Sequence, residues 1–525
     1  MKPSKWATLR HISPLNMIKE KSGPRTPLSA SLPSKRQITI IEMGGFHSTM
    51  IPVMKGTEQI GGAAYVADAV TRIRQKADPI IISNGDVFTG QTSALESGGN
   101  FVIHFMNQLD FDAMTLGIHD FDEGQEVLAS RVAEAKFPVL AANLVSTKDG
   151  VHISETTHPL AKIQPFVVID RGMQTIAILG MMKEDAPMFQ RPENMAGLSF
   201  WPAQKTILRW FPDMLMERPN IIIIQYNKMT EAEELAVQIN EMIRESGKKG
   251  VGLALPLLVF IGGHLNEKPI FGPNYLIMQG TDRGYRLGII KIKQEFRGNR
   301  LLPEYTTISD KRYFPDPKVS QIVQEIKKRI EMQDMFLGCS KSALKRDRFE
   351  DCTLGILITE AMKQHAKADI AFLSSGTTKL DICPGDVYSS DIDQAIPFKD
   401  SIILMEISGT KLMEILEQSA KLEADSGGSG GKILQVAGLR FKYSVKLEKG
   451  NRVEQVSING IPIEMEKGYL AAVSKYLADG GDGYNQFKEV KLLQDMGDLR
   501  TVIKDYIKAA GTLDVQRDMR IECDQ

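Results

Sequence analysis

From residue 38 onward, short runs of β-branched and aliphatic residues recur, bounded by Gly, Asn or Asp: ITIIE (38–42), PIIIS (79–83), AMTLG (113–117), TIAILG (175–180), NIIIIQ (220–225) and LLVFIGG (257–263). Runs this short and this continuously apolar predict strands buried on both faces, since a half-buried strand would alternate. Between several of them lie stretches with helical spacing, such as Tyr65–Lys76 and Glu123–Ala135. Strands alternating with helices predict an α/β layer architecture, with a sheet covered on both faces. After Gln294 the pattern weakens. Lys318–Met335 then carries Val319, Ile322, Ile326 and Ile330 on one helical stripe, which predicts an amphipathic helix linking two units. A second α/β unit follows, with a helix at Leu354–His365 and strands within ADIAFLSS (368–375), SIILMEIS (401–408), LRFKYSV (439–445) and VEQVSI (453–458). Asp425–Lys432 is almost wholly Gly and Ser, the composition of a flexible connector. The predicted organisation is a tail (1–36), a first unit (37–312), a connecting helix (313–338) and a second unit (339–525).

A length of 525 residues suits two large domains, and 42% hydrophobic with 25% charged residues is an ordinary globular composition. Sixty-four basic residues against 65 acidic ones argue against nucleic acid as the main partner. The four cysteines form no CxxC pair, so neither structural zinc nor a disulfide framework is supported. The longest apolar stretch, Val251–Gly263, contains Pro256 and falls short of the ~18 residues of a transmembrane helix, so no membrane partner is expected. With no apolar core of a secretory signal near the N-terminus, a cytoplasmic rather than secreted protein is expected. Residues 1–36 carry Lys2, Lys5, Arg10, Lys19, Lys21, Arg25, Lys35 and Arg36 against the single acid Glu20, and cannot bury enough apolar surface to fold alone. They are expected to be a solvated leader. The alternatives are a docking arm for an acidic protein or filament surface, within a cytoskeletal assembly, and a mitochondrial transit peptide.

Four of the predicted strands end in polar clusters: Gly44-Gly45-Phe46-His47, Asn84-Gly85-Asp86-Val87-Phe88, Ile118-His119-Asp120-Phe121-Asp122 and His264-Leu265-Asn266. A lone histidine after a strand is usually structural. Ligands of open α/β sheets bind outside the carboxyl ends of strands, however, so four such ends in series point to one shared site.

In this order the clusters resemble the metallophosphoesterase domain of the 5′-nucleotidase family, which reads D-x-H, G-D-x-x, G-N-H-E-F-D, a lone H, and G-G-H-x-H/Q. Gly85-Asp86, Gly117-Ile118-His119-Asp120-Phe121-Asp122 and Gly262-Gly263-His264 carry the likeness, and FPVLAAN (137–143) resembles F-P-x-L-x-A-N. The resemblance runs from Ile38 to Ile521. It implies a calcineurin-like metallophosphoesterase α/β sandwich joined by a helix to a C-terminal α/β 5′-nucleotidase domain. It also implies a pair of metals about 3.5–4 Å apart, bridged by Asp86, with His119 oriented by Asp122 to stabilise charge on the phosphoryl group. His47, Asp86, His264 and Asn266 stand at ligand positions. Gly45, Ile118 and Asn227 stand where the family has Asp, Asn and His. One metal would keep His47, Asp86 and Asn266, and the other only Asp86 and His264, short of the three protein ligands typical of catalytic zinc. The expected cofactor is therefore none, or one divalent Zn, Mn or Fe.

The second unit resembles the family's nucleoside-binding domain. Arg348 opens RFEDCTLG, similar to R-x-x-E-x-N-L-G; Ser374 and Lys379 fall on the Asn and Arg of N-G-G-G-I-R; Phe398 falls on the Phe of L-P-F; and YLADGGDGY (476–484) resembles F-L-A-x-G-G-D-G-Y. The resemblance implies a purine between Phe398 and Tyr476, with stacking worth ~1–3 kcal/mol per base. It further implies phosphates on Arg348 and Lys379, and ribose on Asp482. The functional expectation is a catalytically weak or inactive relative, acting as an interaction, structural or nucleotide-sensing component of an intracellular assembly, with a nucleoside monophosphate or adenosine as ligand. The alternatives are a single-metal site of altered activity and an active metal-dependent 5′-nucleotidase.

Overall fold

A computed structural model describes residues 37–90, 100–171, 173–226, 228, 231–248, 255–262, 268–295, 298–420 and 433–524. The tail, the Gly/Ser connector, Asn227, His264 and Asn266 lie outside the described residues.

The first unit places the apolar runs in two sheets. One is ordered β12-β11-β1-β2-β3-β4, from β1 (Gln37–Glu42), β2 (Ile80–Ser83), β3 (Ala113–Thr115), β4 (Val139–Leu140) and the hairpin β11 (Arg286–Glu295) and β12 (Gly298–Thr307). The other is ordered β9-β10-β8-β7-β6-β5, from β5 (Phe166–Arg171), β6 (Gln174–Met181), β7 (Ile221–Tyr226), β8 (Leu257–Gly262), β9 (Ile270–Gly272) and β10 (Tyr275–Gln279). β1 to β4 run parallel, as do β6, β7, β8 and β10.

The continuous apolar runs follow from this stacking. Ile40, Ile80 and Ile82 face Ile176, Ile221, Ile223 and Val259 in the core between the sheets. Ile41 and Ile81 face the outer layer of α1 (Ala63–Arg74) and α4 (Pro317–Gln333), while Ile222 and Ile224 face α2 (Ala203–Met216) and α3 (Ala232–Lys248) on the opposite side. Every residue of β2 and β7 is thus buried, whichever face it takes. The apolar pattern alone predicts a sheet covered on both faces, and the two stacked sheets match the α/β sandwich that the resemblance implies. An apolar run shows that both faces are covered, but not whether a helix or a second sheet covers them.

The helix expected as a connector also does more than link. Asp316 caps it, its Oδ1 accepting from the N–H groups of Lys318 and Val319 at 3.0 Å, and Pro317 takes the first turn. Its Val319, Val323 and Ile326 are buried in the first unit's core, with Ile322 partly buried beside them.

The second unit centres on a five-stranded sheet ordered Leu434–Ala437, Ile370–Ser374, Gly468–Ser474, Ser401–Ser408 and Leu492–Asp498. Along Ile370–Ser374 successive side chains alternate between two cores. Ile370 and Phe372 pack with the helix Gly409–Ser419, and Ala371 and Leu373 with the helices Thr353–Ala366 and Leu499–Ala510. No described helix is long and apolar enough to cross a membrane.

Candidate active site

The carboxyl ends of β1, β2 and β3 open into loops tied to one another by main-chain bonds. Gly45 N–H donates to Gly85 O, His47 N–H to Asp86 O and Ser48 N–H to Val87 O, each at 2.9 Å. His47, Ser48 and Asp86 hold left-handed φ values of 48°, 52° and 54°, a strained conformation for residues with side chains and one that concentrates at functional sites. The approach of the β3 loop leaves no room for a side chain at Gly117, where a Cβ would lie 2.2 Å from Asp86 Oδ1.

Asp120 locks this arrangement. Its carboxylate accepts from the N–H groups of Asp86 (3.0 Å), Val87 (2.8 Å), Phe88 (3.2 Å) and Gly117 (2.8 Å). Burial, with the Asp86 carboxylate close by, pushes its pKa up to about 7, and the backbone donors pull the other way. Sequence reasoning quoted Asp120 within its motif but assigned it no role; a second carboxylate between His119 and Asp122 was the available signal.

His119 donates its own N–H to Asp86 Oδ1 at 2.7 Å, and its Nδ1 lies 3.0 Å from Asp122 Oδ2, so Nδ1 carries the proton and Nε2 the lone pair. Gln190 Nε2 donates to both Asp122 Oδ1 and the Ile118 carbonyl, and Asn194 Nδ2 donates to the Asp122 carbonyl at 3.1 Å. Gln190 orients the carboxylate that orients the histidine, and Asn194 holds the Asp122 backbone. Gln225, at the end of β7, bridges the sheets by accepting from Thr115 Oγ1 and donating to Ser83 O, both at 2.9 Å. None of these three was legible in the sequence, because each comes from a segment remote from the motifs it supports.

His47 turns Nδ1 to the Thr89 carbonyl at 3.1 Å. Burial holds its pKa well below the usual imidazole value; Asp86 opposes this, while His119, Lys379 and Arg283 add to it. A neutral imidazole and a carboxylate suit a divalent cation. Gly45 and Ile118 bring no side-chain donor, however, and no group of three or more His, Cys, Asp or Glu able to hold a metal occurs among the described residues. His47 and Asp86 therefore do not by themselves make the donor set of a two-metal centre.

Across the cleft, the second unit presents Phe398 and Lys379. Phe398 stacks on the His119 ring at 5.6 Å between centroids, and Lys379 Nζ lies 5.0 Å from the Phe398 ring centre. His47 meets His119 edge-on at 5.4 Å. A small pocket of about 10 Å³, room for about one water, opens here, lined by residues of both units including His47, Thr89, Arg283, Lys379 and Phe398. Lys399 pairs with Glu123 at 3.0 Å and joins the units at the surface.

Ser374, Tyr476 and Asp482 form a second knot. Asp482, at φ 54°, accepts from the Ser374 hydroxyl and from the Tyr476 hydroxyl at 2.9 Å, and its N–H returns to the Tyr476 oxygen at 3.1 Å. Burial and then Asp482 hold the Tyr476 phenol well above its usual pKa. Ser374 also accepts from Gly376 N–H at 3.1 Å, fixing the turn after its strand. In this conformation Phe398 stacks on a histidine, and the Tyr476 hydroxyl serves the carboxylate expected to hold ribose. Arg348 is exposed, and its carbonyl accepts from Ser375 Oγ at 2.9 Å.

Comparison with known proteins agrees with this architecture. Residues 329–489 match the family described as 5′-nucleotidase, C-terminal domain. The chain is 24% identical to the snake venom 5′-nucleotidase of Naja atra over 537 aligned residues, covering 90% of this chain and 96% of that protein. It is 25% identical to the 5′-nucleotidase of Homo sapiens over 543 residues, covering 90% and 88%. Among solved structures, a 5′-nucleotidase precursor from Thermus thermophilus superposes with a TM-score of 0.78 at 21% identity, over 93% of this chain and 99% of that one.

Proposed function

Since the chain belongs to the 5′-nucleotidase family, we propose that it takes nucleoside monophosphates in the cleft between its units and hydrolyses them to nucleoside and phosphate. The observation that carries this reading is the His119–Asp122 pair, held at 3.0 Å and faced by Phe398 and Lys379 from the other unit. A catalytic histidine needs a fixed tautomer. Here Asp122, held by Gln190, keeps the proton on Nδ1 and leaves Nε2 for the ligand. Phe398 supplies an apolar face for a base, Lys379 a cation for phosphate, and Asp482 a carboxylate for ribose hydroxyls. The relatives' names favour this phosphohydrolase over a purely structural component.

Binding without turnover is the second reading, and one observation favours it: Gly45 and Ile118 bring no donor to the place where phosphate would be activated. Phosphate release from AMP, measured with added Zn or Mn and again with chelator, separates the two. Turnover that falls about 100-fold or more in Asp122→Asn supports hydrolysis. Calorimetric binding of AMP with no release establishes the second reading, and no binding of AMP or adenosine at millimolar concentration removes both. A docking role for residues 1–36 on an acidic filament is a separate proposal, tested by co-sedimentation of the full chain against a chain beginning at residue 37.

A further inference from the structure

Arg283 lies on the turn after β10, outside every motif discussed above. Its backbone is left-handed at φ 53°, and its N–H donates to the Gly45 carbonyl at 2.6 Å. The turn is pinned to the β1 loop twice more: Thr281 N–H donates to Glu42 Oε2 at 3.0 Å, and Gly44 N–H to Thr281 Oγ1 at 3.1 Å. Arg283 therefore sits directly over a position that brings no side chain. Its Nη1 reaches across the units to the Lys379 carbonyl at 3.4 Å, and its side chain is only 19% exposed. The Asp282 carboxylate lies 3.6 Å from Nε and is 46% exposed, so it neutralises the guanidinium weakly.

Resting on the proposed nucleotide ligand, we infer that Arg283 and Lys379 together form a cationic seat for its phosphate, made of this chain's own side chains. Among the described residues lining the cleft, these two are cations and none is a carboxylate. A guanidinium is weakly hydrated and matches two phosphate oxygens at once, so it holds a phosphomonoester where a point charge alone would leave it hydrated. Gly45 brings no carboxylate, and Arg283, bonded to its carbonyl, brings a cation to the cleft, which favours an anionic group over a metal ion. Arg283 holds a left-handed backbone that glycine would adopt without strain.

The test is calorimetry on the full chain with AMP, adenosine and inorganic phosphate, each in excess EDTA. AMP is expected to bind at least about 10-fold tighter than adenosine under these conditions. Arg283→Gly should bring AMP to the level of adenosine while leaving adenosine unchanged, and should not lower Tm, because glycine suits the left-handed backbone. Arg283→Lys should keep part of the preference. A preference for AMP that vanishes with EDTA in the unmodified chain, or survives intact in Arg283→Gly, overturns the seat. Failure of both AMP and adenosine to bind would instead count against the proposed function. Inorganic phosphate then still decides the seat: binding lost in Arg283→Gly upholds it, and no binding in the unmodified chain refutes it.

Discussion

Removing the Asp120 carboxylate is the sharpest test of how this site is held. Asp120→Ala strips the acceptor from the N–H groups of Asp86, Val87, Phe88 and Gly117, all in a loop pair that Asp120, itself 4% exposed, keeps dry. At about 1 kcal/mol for each orphaned donor, the low end of the usual range, four bonds come to about 4 kcal/mol. Asp120→Asn keeps one accepting oxygen and should lose about half of that. Because a chain of this length need not unfold in two states, the suitable assay is local: hydrogen exchange in peptides spanning 84–90 and 115–122. Exchange there should accelerate about 1,000-fold in Asp120→Ala and about 30-fold in Asp120→Asn, with the strand Ile370–Ser374 of the second unit unchanged. Unchanged protection at 84–90, or equal acceleration in both units, would refute the claim that one carboxylate organises these loops.

Four further outcomes are expected. His152 is fully buried, with Nε2 donating to the Ala141 carbonyl at 2.9 Å, and burial lowers its pKa to about 4. The unfolded chain therefore takes up the proton first, and stability should fall by up to about 3 kcal/mol as pH drops from 6.5 to 4. Melting curves of His152→Gln should lack this part of the slope; parallel curves would contradict it. Asp400 accepts from Ser401 N–H (2.9 Å) and Tyr476 N–H (3.2 Å), and burial raises its pKa to about 6. Its contribution is favourable below about pH 4 and is lost as pH rises through 6, so Asp400→Asn should match the parent at pH 4 and exceed it by about 2 kcal/mol at pH 7. Phe398→Ala should weaken adenosine binding about 5- to 150-fold if that ring stacks the base, and an unchanged dissociation constant would assign Phe398 to interface packing alone. Restoring Gly45→Asp, Ile118→Asn and Asn227→His together should create or strengthen Zn binding measured by calorimetry; no gain would mean that the loops no longer hold ligand geometry.

Strand positions were legible in the sequence because continuous burial leaves a local mark: ITIIE, PIIIS, NIIIIQ and LLVFI all became strands within a residue or two of the expected bounds. The fold class was legible through the resemblance, and so were the motif residues His47, Asp86, His119 and Asp122, which sit together at the carboxyl ends of β1, β2 and β3. Only tertiary structure decided that the runs divide between two sheets, since strand pairing is a long-range choice that no strand carries in its own pattern. The hairpin β11–β12 was missed as well: it begins at Arg286 and reads as a weakening pattern because β12 is an edge strand. Gln190, Gln225 and Arg283 were invisible for a related reason. Each acts through a hydrogen bond or charge on a segment far along the chain, and polar side chains carry no periodicity that marks their partners. Local composition determined which residues could be buried or could react; packing of distant segments determined which of them meet.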